Sequence, residues 1–255
     1  MKGWTIFRHA MRLVTGNRQE AMRLAVVPML GLYAVTWAIL RASGFTFMAT
    51  GGGGVSAFSG SGTLSGGTAL LLWFLWMAVT VWVFVGWHRF VLLEEYPEGW
   101  IPPLHGPESI GYLGRMLMLA GISLALMIPV FVVVGLAAGG GSAAIAPVLA
   151  IVGVMAVGVV FYRLSPILPA AAIGTPLTLR AAWESTNGTA GAIVAIAVIV
   201  FVLQLFLQFV TAILFAIFAP LGLLAAFAVT VFMTLLGASL LTSFYGHYVQ
   251  GRALE

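Results

Sequence analysis

Ala190-Gly-Ala-Ile-Val-Ala-Ile-Ala-Val-Ile-Val-Phe-Val-Leu-Gln204-Leu-Phe-Leu-Gln208-Phe-Val-Thr-Ala-Ile-Leu-Phe-Ala-Ile-Phe218 is the stretch that decides the fold. It holds no charged side chain and is longer than the ~20 apolar residues a helix needs to cross a bilayer. A strand of a membrane barrel would alternate apolar and polar residues, and this run is apolar on every side. A helix is the remaining way to satisfy its backbone in lipid.

Five more runs meet the same test: Ala25–Arg41, Ala69–Leu93, Met116–Ala138, Ala144–Tyr162 and Leu221–Tyr245. Their boundaries carry an uncertainty of about 2–4 residues. Composition agrees, since 62% of the 255 residues are hydrophobic and 7% are charged, where soluble domains carry about 25% charge. The expected fold is therefore all-α: a polytopic membrane protein of six transmembrane helices arranged as three hairpins, with amphipathic interfacial helices on the cytoplasmic side. Its parts are an interfacial segment over residues 1–24, the membrane domain over 25–248 and a short tail over 249–255.

Charge sets the orientation. With the N-terminus inside, the inner segments hold or flank every Lys and Arg except Arg41, and all seven acidic residues. The outer connections Ala42–Thr68, Gly139–Ala143 and Ala219–Pro220 carry no charge of their own. Reversing the topology inverts this bias, so the positive-inside rule places both termini in the cytoplasm. The basic N-terminus followed by Ala25–Leu40 has a superficial likeness to a signal peptide, but Arg41 stands where a small-residue cleavage site is expected. Gly51–Gly54 and Ser59–Gly62 lack the Lys of a phosphate-binding loop and suggest a flexible connection. No function is assigned to Leu254-Glu255.

There is no Cys and no Asp, which removes disulfides, thiolate chemistry and many catalytic dyads and triads. Glu94, Glu95, Glu98, His105 and Glu108 could in principle ligate a cation, but Pro97, Pro102, Pro103 and Pro107 make that inner segment a stiff, solvated loop. His88 and His247 lie at helix ends beside aromatics, suited to interfacial anchoring rather than to haem. Gly237-Ala-Ser239 has the start of a rhomboid-type nucleophile motif, yet Leu240 replaces its following Gly, and His247 lies two turns away on the same helix. The sequence nominates no catalytic residue, no cofactor and no metal site.

Trp4, Phe7, Met11 and Val14 share one face of a helix whose remainder carries Lys2, Arg8, His9, Arg12 and Arg18, the pattern of a helix lying in the headgroup plane. Arg8, Arg12, Arg18, Arg89, Arg163 and Arg180 are the candidate contacts for lipid headgroups, anionic by charge complementarity. The implied partners are membrane lipids, with a membrane-protein partner or a second copy of this chain as further candidates. No dense basic run suggests nucleic acid.

Gln204 and Gln208 form a candidate intramembrane polar site. They lie one turn apart, and either bond to a neighbouring helix or line a polar path for a small solute or lipid. Gly222, Ala226, Thr230, Thr234 and Ala238 place a small residue at every fourth position of the last span, a ridge suited to close helix packing. Four residues overshoot one turn by about 40°, so that ridge winds around the helix. The descending helices end on Trp87-His88-Arg89-Phe90, Phe161-Tyr162-Arg163-Leu164 and Phe244-Tyr245-Gly246-His247-Tyr248. Such ends fit an internal repeat, or simply three helices reaching the same aromatic belt.

Tyr162-Arg163-Leu-Ser-Pro166-Ile-Leu-Pro169 and Leu179-Arg180-Ala-Ala-Trp183-Glu-Ser-Thr-Asn-Gly188 together resemble a pattern of bacterial multi-helix membrane domains. These include the membrane domain attached to some glycerophosphodiester phosphodiesterases. Ala171-Ala172 depart from that pattern, which often has an acidic residue there. The resemblance implies a six-helix fold in a bacterial cytoplasmic (inner) membrane. The function expected is non-enzymatic, organising partners or lipids through the cytoplasmic face, with small-solute or lipid transport as the alternative.

Overall fold

Unbroken apolar runs leave the backbone no partner but itself, and the chain answers with helices. A computed structural model describes residues 2–45, 63–140 and 144–254. The Gly51–Gly54 and Ser59–Gly62 stretch, and part of the expected Gly139–Ala143 connection, lie outside the described residues. In chain order the helices are α1 (Lys2–Gly16), α2 (Arg18–Ala42), α3 (Gly66–Leu93), α4 (Gly106–Gly139), α5 (Ala146–Leu164), α6 (Ile167–Ala172), α7 (Leu179–Ser185), α8 (Ala190–Ile217) and α9 (Ala219–Tyr248). No described residue is in a strand. Six helical stretches are long and apolar enough to span a bilayer: α2, α3, α4, α5 continued by α6, α8 and α9. The protein is a multi-pass membrane protein.

Several helices, α4 most of all, are longer than their apolar runs. At 1.5 Å per residue, the 34 residues of α4 reach ~51 Å, against a hydrocarbon core of about 30 Å. Its first turns therefore continue beyond the apolar run, starting at Gly106 where the sequence suggested an irregular loop. Pro28 and Pro129 sit inside α2 and α4. Only 6% of the most apolar window of α4 is buried in the protein, against 28% for α2 and for α9. The remainder, including Leu124, Phe131 and Leu136, is exposed apolar surface for which lipid is the fitting solvent.

The chain divides into two compact units. The unit formed by Met11–Leu104 and Val198–Ser239 contains α2 and α3, which pack on each other, and much of α9. Its core joins Leu24, Met29, Val83, Trp87, Phe90, Val231, Leu235 and Ala238. Three aromatic groups cross it to hydroxyls. Trp87 Nε1 donates to Ser239 Oγ at 2.9 Å, with both residues fully buried. Tyr33 donates to Thr230 Oγ1 at 2.9 Å, and Trp76 Nε1 to Thr36 Oγ1 at 3.2 Å. The Pro-rich segment is tied down in this unit, because Pro97 O accepts from Arg23 and Pro103 O accepts from Trp82.

The small-residue ridge of α9 is used in pieces, as its winding requires. Ala238 is fully buried, Thr230 is bonded to Tyr33, and Gly222 lies directly beneath the ring of Phe215 in α8. Val231, Leu235 and Ala238 form the face turned to the core, a true helical stripe. A Cβ at Gly222 would fall within the Phe215 ring, so Gly222→Leu is expected to cost about 1–3 kcal/mol. Leu at Ala228, an exposed position on the same helix, should be near neutral. Thermal unfolding in detergent checks this pair, and equal transitions would show that Phe215 does not hold the turn.

The other unit is Met1–Ala10, His105–Ala197 and Leu240–Glu255. Here α4 packs along α5 and α6. Close approach requires Gly153, whose missing side chain makes room for Val130 of α4. After Leu164 the chain turns at Ser165-Pro166, and Ile167 through Ala172 are all buried. Small residues make this possible, since Ala170, Ala171 and Ala172 let neighbouring backbones come close. The C-terminal end of α9 contributes Phe244 and Tyr245, both buried, and the Tyr245 hydroxyl lies 3.1 Å from that of Thr175.

Candidate functional site

Helix α1 is the most amphipathic in the chain, and the structure divides its faces differently from the sequence expectation. Ile6, Phe7, Ala10 and Val14 are buried in the protein, while Trp4 is 53% exposed. Gly3 allows this docking, for the Ala192 carbonyl of α8 lies 2.7 Å from where its Cβ would be. Trp4 therefore does not share a buried face with Phe7 and Val14. It stands one turn before Arg8, which stands one turn before Arg12, and all three are exposed. The spacing of i, i+4, i+8 was the available signal. What hid it was the assumption that every apolar residue of an amphipathic helix points one way.

The six candidate arginines separate into two groups. Arg8, Arg12 and Arg18 are exposed and make no hydrogen bond or ion pair among the described residues. Arg89 pairs with Glu95 at 2.8 Å, just beyond the left-handed turn at Glu94 that ends α3. Arg180 pairs with Glu184 at 2.8 Å, one turn along α7. Arg163 is a joint between α5 and α7: its Nη2 donates to Trp183 O at 2.8 Å, and its guanidinium lies 3.5 Å from the centre of the Trp183 ring. Thr186 Oγ1 closes the joint, lying 2.8 Å from Ala182 O and 2.9 Å from Arg163 O. The ends of the 163–186 stretch are thus tied together by hydrogen bonds and ring packing.

The aromatic helix ends are not equivalent. Trp87, His88 and Phe90 are buried, as are Phe244 and Tyr245, while Phe161 and Tyr162 are half-buried. His88 is fully buried with its ring against Phe84, which corrects the expectation that it anchors at the interface. His247 is partly exposed, with Nδ1 3.0 Å from Arg252 O. Ser239 is enclosed with Trp87, the geometry of a packing contact. Among the described residues no group of three or more His or Glu is placed to hold a metal ion.

The Pro-rich segment between α3 and α4 is half built into the protein. Pro97 and Pro102 are buried, but Tyr96, Trp100, Ile101 and Leu104 are all more than half exposed. Exposed Trp and Tyr beside aliphatic side chains fit the boundary between headgroups and acyl chains. This apolar rim went unseen in the sequence because the glutamates and prolines around it read as a solvated loop.

Gln204 is half-buried and Gln208 is exposed, and neither amide has a hydrogen-bond partner among the described residues. Gln208 lines a cleft of about 390 Å³ with Thr211, Ala212 and Phe215 of α8 and Ala226, Val229 and Thr230 of α9. The α8 residues follow helical spacing, as do those of α9, so two helix faces confront each other across the opening. The hydroxyls there are already engaged: Thr211 donates to Leu207 O and Thr230 to Ala226 O. That leaves the Gln208 amide as the side-chain donor in the lining without an acceptor among the described residues. No known protein family, curated protein or solved structure matches this chain, and the chemistry of these side chains carries the functional reading.

Proposed function

We propose that this membrane protein is non-enzymatic and resides in a bacterial inner membrane with both termini cytoplasmic, where its inner face organises anionic lipids or partner proteins. The observation that carries the reading is the exposed Trp4-Arg8-Arg12 stripe of α1. Like charges one turn apart disfavour a helix by a few tenths of a kcal/mol, and no ion pair among the described residues offsets them. A layer of lipid phosphates would do so, with the Trp4 indole at headgroup depth. The exposed Tyr96, Trp100, Ile101 and Leu104 support an interfacial location for their segment as well. The resemblance of the 162–188 stretch to bacterial membrane domains belongs to the same proposal.

Each cation near an anionic surface contributes about 1 kcal/mol. Arg8→Gln with Arg12→Gln should therefore weaken binding of anionic lipid by about 2 kcal/mol, roughly thirtyfold. Enrichment of phosphatidylglycerol around the purified protein in mixed-lipid nanodiscs measures this. Arg180→Gln removes a cation already paired with Glu184 and should change enrichment little. Equal enrichment in the double variant and the parent protein would overturn the headgroup reading. Transport of a small solute or lipid is the second reading, favoured by the α8–α9 cleft and its unpartnered amide.

A further inference from the structure

From Ala212 to Val229 no side chain is polar, and the turn between α8 and α9 lies in the middle of that run. Ile217 and Phe218 at the turn are exposed, as are Leu221, Leu223 and Leu224 just after it. Water is a poor solvent for such a tip, so the turn belongs at or beneath the edge of the hydrocarbon. Gln208 then lies ~14 Å further in, at 1.5 Å per residue, well inside the acyl-chain region. An amide left there without a partner is costly. Plain acyl chains can fill the apolar walls of the cleft but offer the amide nothing.

We infer that the α8–α9 cleft binds a neutral, lipid-soluble molecule carrying a carbonyl that accepts a hydrogen bond from the Gln208 side chain. Three features define this class. The lining carries no charge, so an ionic group would enter without a counterion. The walls are the methyls of Ala212, Ala226 and Val229 and the ring of Phe215, which take an apolar body. The volume of about 390 Å³ lies within the range of small-molecule sites, about 300–1,000 Å³. Thr211 and Thr230 spend their protons on helix carbonyls, so Gln208 supplies the selective donor. An acyl ester and an isoprenoid quinone share this chemistry. The inference does not rest on the headgroup reading, which concerns a different helix.

The test uses the full chain in nanodiscs with labelled methyl hexadecanoate, decylubiquinone and hexadecane, each measured against empty nanodiscs. At least one carbonyl probe should be retained roughly tenfold better than hexadecane, the difference one hydrogen bond makes. The better retained of the two names the source. Gln208→Leu should abolish that preference, and Ala226→Phe, which fills the cleft, should abolish specific retention of all three. Gln208→Met, of similar volume, serves as the second variant if Gln208→Leu does not fold. Arg8→Gln with Arg12→Gln should leave retention unchanged, which separates failure here from failure of the headgroup reading. Equal retention of the best carbonyl probe and hexadecane by the parent protein, or an undiminished carbonyl preference in the folded Gln208 variant, overturns the inference.

Discussion

Replacing Trp87 by alanine is expected to lower the stability of the protein by about 3–5 kcal/mol, the usual cost of removing a fully buried indole. Trp87 has no exposed surface, and it packs in a core drawn from α2, α3 and α9. Its ring also lies 5.5 Å from that of Phe90. Alanine would leave a void that rigid helices cannot close, and Ser239 would lose the indole N–H donor. Trp87→Phe keeps most of the packing and should cost only about 1–2 kcal/mol, chiefly the hydrogen bond and the smaller ring. Trp73 stands on the same helix but is 51% exposed, so Trp73→Ala should shift stability by about 0.5 kcal/mol or less. Chemical denaturation in detergent, followed by circular dichroism, measures all three. Similar losses at Trp87 and Trp73 would show that the described core does not hold these helices together.

Single cysteines should report the proposed orientation in an all-or-none manner, because the chain has none of its own. Thr63→Cys, exposed just before α3, should react with an impermeant thiol reagent in intact cells. Gly99→Cys and Asn187→Cys, at exposed positions of the two inner segments, should react only after the membrane is opened. Ser109 is unsuitable for this purpose, since its hydroxyl is enclosed by protein and would stay silent from either side. The opposite pattern, with Gly99→Cys and Asn187→Cys labelled in intact cells and Thr63→Cys protected, would reject both the orientation and the cytoplasmic reading of the α1 stripe.

Whether a segment is a spanning helix depends on its own residues. Lipid demands that each crossing satisfy its backbone internally, so length and apolarity suffice, and all six expected spans are helices. Local chemistry was legible for the same reason. Arg180 meets Glu184 one turn away because both stand on one short helix, and Gln204 and Gln208 share a face because helical spacing puts them there. Which face of each helix meets protein was not legible. In water a polar face marks the outside, but lipid is as apolar as a protein core, so nothing in the sequence of α3 separates buried Trp87 from exposed Trp73. The same ambiguity left His88 at the interface. The sequence by itself determined a six-span membrane protein with its charges gathered on one side. Only the tertiary structure decided that Arg163 reaches Trp183 of another helix, that Trp87 meets Ser239 and that Gln208 faces a cleft. Those outcomes depend on contacts between residues far apart in the chain, which come together only when helices pack.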